Sequence, residues 1–587
     1  MSNLARTIRT LRHCRLDQLC WRLRYRLEAR RPAKVASPPP GIKVRDDIPR
    51  ELYETEFVGE DAANAVVWLE SMEQGNFTHL NETRRLGTES VDWLLGSCEN
   101  DRLWTVTLHY HRWAWRLAQL VKSDDTALSR RADTMLRRLL NDWITRCPLT
   151  AKGSRALAWN AYATATRISH WCRLYHLLAN TGRENWGDLE ERFLASLWTQ
   201  ADYLSRHLEW DLRGNHLLRD ALGLVWAGRF FKGSDAKRWL TLGTELADQQ
   251  AAEQVLPDAG HFERSPMYHV EIMDDFVTLA LLFEQENIRA FLRQTWQSMA
   301  ELLAWVRHPD GQVPLFNDGG LNGSPSPAAM FAKGKKLLNI DVDGAPRAGG
   351  KWFRDFGLIV WHGQPWSLFF DVGPVGIDYQ PGHAHADTLA FEASYKGQRV
   401  FVDPGTFRYD NDPSRRYDRA TCSHNTVAID DTDSSEVWHI FRVGRRACPL
   451  DVEFTEKPNG LIASASHDGY DHLAGQPRHR RSIEVEQDGH LTITDHFEGQ
   501  GKHLISGGML IAPEWEVEST HQGWILKYNG RTLLITVDVP DALHTSVDKA
   551  VYHPEYGIEQ PTQRLCWHGT VEFPSRMIIH ITSQEAV

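Results

Sequence analysis

DVDGAPRAGGKWFRDFGLIVWHG, residues 341–363, is the point at which the hydrophobic period of this 587-residue chain changes from 3.6 to 2. Its first half is rich in Gly, Asp and Pro, the composition of a break, and its second half opens a series of strand-like runs. WSLFFDVG (366–373), TLAFEASYKGQRVFVDPG (388–405), NTVAID (425–430), RSIEVEQDGHLTITDHF (481–497), HLISGGMLIAP (503–513) and WILKYNGRTLLITVDV (524–539) follow, with Asp488-Gly489 and Asn529-Gly530 placed to turn hairpins. Residues 350–587 therefore read as an antiparallel β-domain, a sandwich of two large sheets.

Upstream, residues 101–122, 155–180, 185–208, 215–231, 236–253 and 270–306 repeat apolar positions at helical spacing with few β-branched runs. Residues 46–340 read as one large helical domain. Ahead of it, SPPPG at 37–41 is a stiff linker that sets off an arm, residues 1–45. In the arm Leu4, Ile8, Leu11, Leu16, Leu19, Leu23 and Leu27 recur among arginines, the pattern of one or two basic amphipathic helices. Packing on the body is the plainer expectation for it, with peripheral membrane contact through residues 1–31 the alternative.

Hydrophobic residues make up 42% of the chain and charged residues 24%, which excludes extensive disorder. No apolar run approaches the roughly 18 residues that cross a bilayer, and the N-terminus lacks the uninterrupted apolar core of a secretory signal, so a cytoplasmic location is expected, with the periplasm as alternative. Eight scattered cysteines without a CxxC pair are expected to be reduced. Residues 1–50 carry thirteen Lys and Arg against four Asp and Glu, whereas the whole chain has a net charge of -11. Capture of a polyanion would then depend on the local field of a cleft. Nothing beyond the arm suggests nucleic acid, and the sequence is silent on oligomeric state.

Chemistry-bearing residues concentrate in three places. PGHAHADTLAFEASYKGQRVFVDPGTFRYD (381–410) alternates His383, His385 and Asp387, which in an extended strand would share a face. His385, Asp403 and His424 have the donor types for a zinc site completed by water, although histidines hydrogen-bonded in loops without metal are an equally good reading of the spacing alone. In the helical half, Arg213 to Asp220 and Gly260 to His269 each sit at a loop-to-helix transition; Ser265 is placed as an N-cap with Pro266 in the first turn, putting Tyr268 at that helix end. The chain has 23 Trp, and rings such as Trp159, with the nearby Tyr162, are candidates for stacking on sugars.

Taken together, WNAYATATRISHW (159–171), RGNHLLRDALGLVWAGRFF (213–231), DAGHFERSPMYHVEIMDDF (258–276), PLFNDGG (314–320), GHAHADTLAFE (382–392), VDPGTFRYD (402–410) and SHNTVAIDDTDSSE (423–436) resemble the heparinase II/III family in sequence, order and spacing, over roughly residues 60–450. The resemblance implies an incomplete (α/α) toroid followed by the antiparallel β-domain, with an anionic, uronate-containing polysaccharide lying between them and cleaved by β-elimination. It implies Asn215 or His216 as the group that neutralises the uronate carboxylate, Tyr268 as the catalytic tyrosine, His383 as the catalytic histidine, and His385, Asp403 and His424 as zinc ligands.

The residue types suit that chemistry. A C5 proton beside a carboxylate is weakly acidic, so hydrogen bonds or positive charge must stabilise the enolate-like intermediate. Tyr268 is expected as the acid toward the departing O4, and as base for one C5 epimer, with His383 or His216 the base for the other. Zinc is expected to hold loops in shape, since elimination consumes no water. Arg264, Arg415, Arg416 and Arg419 are candidate anion anchors. The basic arm suggests work on an endogenous exopolysaccharide. Two other readings compete: a glycoside hydrolase using Glu263 with Asp258 or Asp318, and a polysaccharide-binding protein without turnover.

Overall fold

A computed structural model describes residues 3–54, 62–95, 102–179, 186–345, 347–458, 460–486 and 488–584. Cys98, Pro346 and the outermost positions 101, 180 and 185 of the expected helical segments lie outside the described residues. The α-helices among the described residues are α1 (Asn3–Leu11), α2 (Leu16–Ala29), α3 (Ala62–Glu73), α4 (Arg102–Leu108), α5 (Arg112–Val121), α6 (Thr126–Arg146), α7 (Ala161–Leu177), α8 (Asp188–Leu204), α9 (Gly214–Phe230), α10 (Ser234–Gln254), α11 (Pro266–Leu282), α12 (Glu286–Trp305), α13 (Pro327–Lys333) and α14 (Pro413–Arg419). The expected segment 101–122 is two helices, because His111 takes a left-handed conformation between them, and 270–306 is likewise divided.

From α5 onward the helices form hairpins in two layers: α5, α7, α9 and α11 pack side by side, and α6, α8, α10 and α12 pack behind them. This is the arc of an incomplete (α/α) toroid. Inner helices are covered on both flanks, which is why α9 and α11 are apolar nearly all round instead of on one stripe. Close approach demands small residues: a Cβ on Gly223 of α9 would lie 2.7 Å from the Ala165 Cα of α7, and one on Gly228 would meet Leu240 of α10 at 2.6 Å. The tryptophans mostly fill this core, Trp113, Trp143, Trp171, Trp226 and Trp239 among them.

The β-domain has two large antiparallel sheets and a two-stranded ribbon, Val437–Trp438 with Arg442–Val443. Five strands (Gly349–Phe353, Leu358–His362, Trp366–Asp371, Phe391–Tyr395 and Gln398–Phe401) form a meander, and ten later strands form a larger sheet. The two patterns of hydrophobicity follow from position. In the larger sheet Arg478–Val485 alternates inward and outward, as a half-solvated sheet must. In the smaller sheet Leu358–His362 is buried throughout, because Ile359 and Trp361 face the larger sheet while Leu358 and Val360 pack on Leu302 and Val306 at the end of α12. That second contact joins the helical and β halves.

Residues assigned to the helical region also contain a small hairpin, Asn76–His79 with Glu82–Arg85, which the helical reading missed. Its turn, Leu80-Asn81, has both φ angles positive and carries Asn81 Nδ2 to the Tyr556 carbonyl of the β-domain at 3.1 Å. All cysteines among the described residues are free thiols. No described helix is long and apolar enough to cross a membrane.

The arm lies across both halves. From α1, Arg9 pairs with Glu436 and Thr10 accepts from the Trp438 indole N–H at 3.1 Å, both in the β-domain. From α2, Tyr25 bonds the Leu208 carbonyl of the helical half, and Gln18 reaches the carbonyls of Asp211 and Tyr379, one in each half.

Candidate active site

A cleft of about 1310 Å³ opens between the toroid and the β-domain, with α1 and α2 as its third wall. Four residues singled out for chemistry line it: Asn215 and His216 in the first turn of α9, Tyr268 in the first turn of α11, and His383. Ser265 caps α11 by accepting from the Tyr268 N–H at 3.3 Å, with Pro266 at the first position, so local sequence fixes where the tyrosine emerges.

The segment around His383 departs from expectation. It is the loop between strands Trp366–Asp371 and Phe391–Tyr395, not a strand, so strand alternation does not set where His383, His385 and Asp387 point. His383 turns to the cleft, its ring tilted over Tyr268 with centroids 4.1 Å apart. Its Nδ1 lies 2.8 Å from Asp318 Oδ2, and its Nε2 lies 3.6 Å from Glu263 Oε2. Asp318 is the hub of the site. It takes both guanidinium nitrogens of buried Arg415 and also bonds His385 Nε2 at 2.9 Å. Burial by itself would push the Asp318 pKa up, but Arg415 and the two histidines hold it well below the usual carboxylate range.

Tyr268 stays a neutral phenol: burial, reinforced by Tyr556, Glu271 and Asp318, raises its pKa well above the ordinary value. Its hydroxyl meets that of Tyr409 at 3.1 Å, and Tyr409 meets Tyr556 at 2.8 Å, a row of three phenols along the wall. Asn215 gives its side-chain amide to both oxygens of Glu263, at 3.2 and 3.0 Å. His216 bonds Glu209 through Nδ1 at 3.0 Å; burial disfavours its charged form, but Glu209, Glu263 and Glu271 together outweigh that and the pKa is raised.

Of the expected substrate contacts, only Tyr162 lines the cleft, its hydroxyl on Glu271 at 2.6 Å. The others are corrected by their surroundings. Trp159 is 3% exposed, with its indole N–H on the Cys147 carbonyl, and borders a separate cavity behind α2. Arg264 spends its guanidinium on the carbonyls of Phe262 and Gly376. Arg419 is buried and clamps the carbonyls of Ala384, His439 and Ile440, and Arg416 is exposed away from the cleft. Seven arginines line the cleft: Arg219 is paired with Glu271 and Asp275 and Arg446 with Asp378, whereas Arg22 and Arg26 from the arm, Arg102 and Arg112 from the toroid and Arg442 from the β-domain have no carboxylate partner among the described residues. Motif reading missed these because a single arginine carries no signal of what it faces; it missed Tyr409 and Tyr556 as cleft residues for the same reason.

The metal-ligand set also changes by one member. Among the described residues, His385, Asp387 and His424 bring one donor atom each within 4.8 Å of one another, all buried. Asp403 instead accepts from His424 Nδ1 at 2.7 Å, which leaves His424 Nε2 pointing inward. His385 Nδ1 and His424 Nε2 are buried without a hydrogen-bond partner, an arrangement that fits a bound cation, with Asp318 and Asp403 holding the outer nitrogens as metal-bound histidines require. A second set, Glu486, Asp488 and His490, is exposed at a hairpin turn.

Family models described as "Heparinase II/III N-terminus" and "Heparinase II/III-like, C-terminal" match residues 50–337 and 345–582. The heparin-sulfate lyase of Bacteroides stercoris is 26% identical over 319 residues, 50% of this chain and 45% of that protein, and that of Pedobacter heparinus is 27% identical over 316 residues, 49% and 47%. The chain thus spans about half the length of the curated relatives it matches. Among solved structures, a heparinase III has a TM-score of 0.75 at 18% identity, covering 97% of this chain and 92% of its own, and heparan sulfate lyase HepC from Pedobacter heparinus has 0.60 at 18% identity, covering 97% and 88%. With both halves matched in order and the same fold throughout, the chain belongs to the heparinase II/III family.

Proposed function

We propose that the protein is a polysaccharide lyase that cleaves a uronate-containing polysaccharide by β-elimination in the cleft between toroid and β-domain. The observation that carries this reading is the meeting of Tyr268 and His383, one from each half, in ring contact on the cleft wall beside Asn215 and His216.

The tautomer of His383 follows from its partner. Asp318, kept ionised by Arg415, accepts the Nδ1–H, so Nε2 holds the lone pair and takes the C5 proton. Tyr268, held protonated, delivers its proton to the departing O4, and Tyr409 and Tyr556 steady its hydroxyl. His216, favoured as imidazolium by Glu209, faces the uronate carboxylate, and the Asn215 amide adds a hydrogen bond as the substrate competes with Glu263 for it. The five arginines without a carboxylate partner among the described residues give the cleft a positive field despite the chain's net charge of -11. A divalent cation such as zinc, held by His385, Asp387 and His424, would brace the loop that carries His383. The acids that hydrolysis would need are turned inward: Asp258 caps the backbone of Asp355 and Phe356, Asp318 is enclosed, and Glu263 holds Asn215.

The names of the relatives make heparan sulfate the first polymer to try, followed by other uronate polymers. Absorbance of the new C4–C5 double bond should grow with wild type, and Tyr268→Phe should slow it by about a hundredfold or more, the usual range for losing a positioned acid. New reducing ends without that absorbance would instead establish hydrolysis.

A further inference from the structure

The arm presents its apolar side outward. Leu4, Ile8 and Leu11 on α1 are 69, 58 and 39% exposed, and Leu16, Leu23 and Leu27 on α2 are 81, 61 and 48% exposed. Each set repeats at helical spacing and forms a continuous row, and seven of the ten large apolar side chains exposed among the described residues lie between Leu4 and Val35. The polar side of the arm is the one that grips the body, through Arg9, Gln18 and Tyr25. An amphipathic pair with this orientation has nothing of its own to bury against.

We propose that this face docks on an anionic lipid surface. Charge identifies the occupant. Arg12, Arg26, Arg30, Arg31 and Lys34 accompany the leucine rows, exposed and without a carboxylate partner among the described residues, while the acids of the two helices, Asp17 and Glu28, are already paired with Arg213 and Arg24. Leucine rows flanked by uncompensated cations match the boundary between acyl chains and anionic headgroups. A second copy of the arm would set these cations against one another, which disfavours self-association. Leu11 and Leu23 also border the cleft, so docking would bring the cleft mouth to the lipid surface and aim the site at polymer held there.

The test is sedimentation of the full chain with vesicles of phosphatidylglycerol and phosphatidylethanolamine, against phosphatidylcholine vesicles. Leu4→Ser/Ile8→Ser/Leu16→Ser/Leu27→Ser changes exposed positions that neither line the cleft nor join a hydrophobic cluster, so the fold is expected to be retained, and circular dichroism checks it. Wild type should sediment with the anionic vesicles and not with phosphatidylcholine. The serine variant should partition at least tenfold more weakly, the expectation when several leucines lose acyl contact, and Arg30→Gln/Arg31→Gln should weaken binding at low salt. Equal binding to both vesicle types, no binding to the anionic ones, or a folded serine variant that binds like wild type would each overturn the proposal. So would a wild-type dimer that the serine changes dissociate, since the rows would then cover a second copy. Turnover plays no part in the readout, so the outcome is independent of the lyase reading.

Discussion

Asp318, Arg415, His383 and His385 form a closed set of charge partners on the β-domain side of the cleft, whereas Arg22, Arg26, Arg102 and Arg112 face it from the arm and toroid with no carboxylate partner among the described residues. The first set is buried and every member fixes another, which suits groups that must hold one tautomer and one geometry while a proton moves. The second is solvated and loosely constrained, which suits capture of a polyanion whose charges arrive at many spacings. Chemistry is assigned to the side that cannot rearrange, and binding to the side whose charge is left uncompensated.

Breaking the closed set should have the largest effect. Asp318→Asn leaves Arg415 buried without its counter-charge, and the expected loss is about 3–5 kcal/mol of stability, read as a lower urea midpoint. A midpoint within error of wild type would mean that water reaches Arg415 and the set is not closed.

An intermediate effect is expected where the two sides meet, at His216. Its folded pKa is raised above the ordinary 6.5, so its contribution to stability is complete below that value and is lost as pH rises through the folded pKa. The Michaelis constant for the polysaccharide should climb over the same interval as imidazolium is lost. Glu209→Gln should move that climb to lower pH and raise KM roughly fivefold near neutrality, in proportion to one hydrogen bond to a charged group. An unchanged pH profile would remove His216 from carboxylate binding.

The smallest effects belong to the open side. Arg26→Gln/Arg112→Gln should raise KM by only about threefold at low ionic strength, leave kcat alone, and lose its effect at high salt, because each cation contributes within the modest range of exposed ion pairs. A fall in kcat would mean that these cations belong to the rigid machinery after all.

Periodicity alone distinguished the helical half from the β half, because inner helices buried all round and strands buried on one or two faces leave different repeats in the sequence. Local rules also fixed the Ser265 cap, the emergence of Tyr268 at the start of α11 and the turn at Asn529-Gly530, where φ is positive at both residues. Motif order was enough to bring Asn215, His216, Tyr268 and His383 forward together. Only the tertiary structure decided their partners. That Asp318 joins two histidines and an arginine, that Asp387 and not Asp403 completes the donor group, and that Arg264 and Arg419 serve backbone carbonyls are outcomes of loops brought together from distant parts of the chain. The arm makes the same point in reverse. Its amphipathic repeat was plain in the sequence, but a repeat defines two faces without saying which one turns to the body, and here the polar face does.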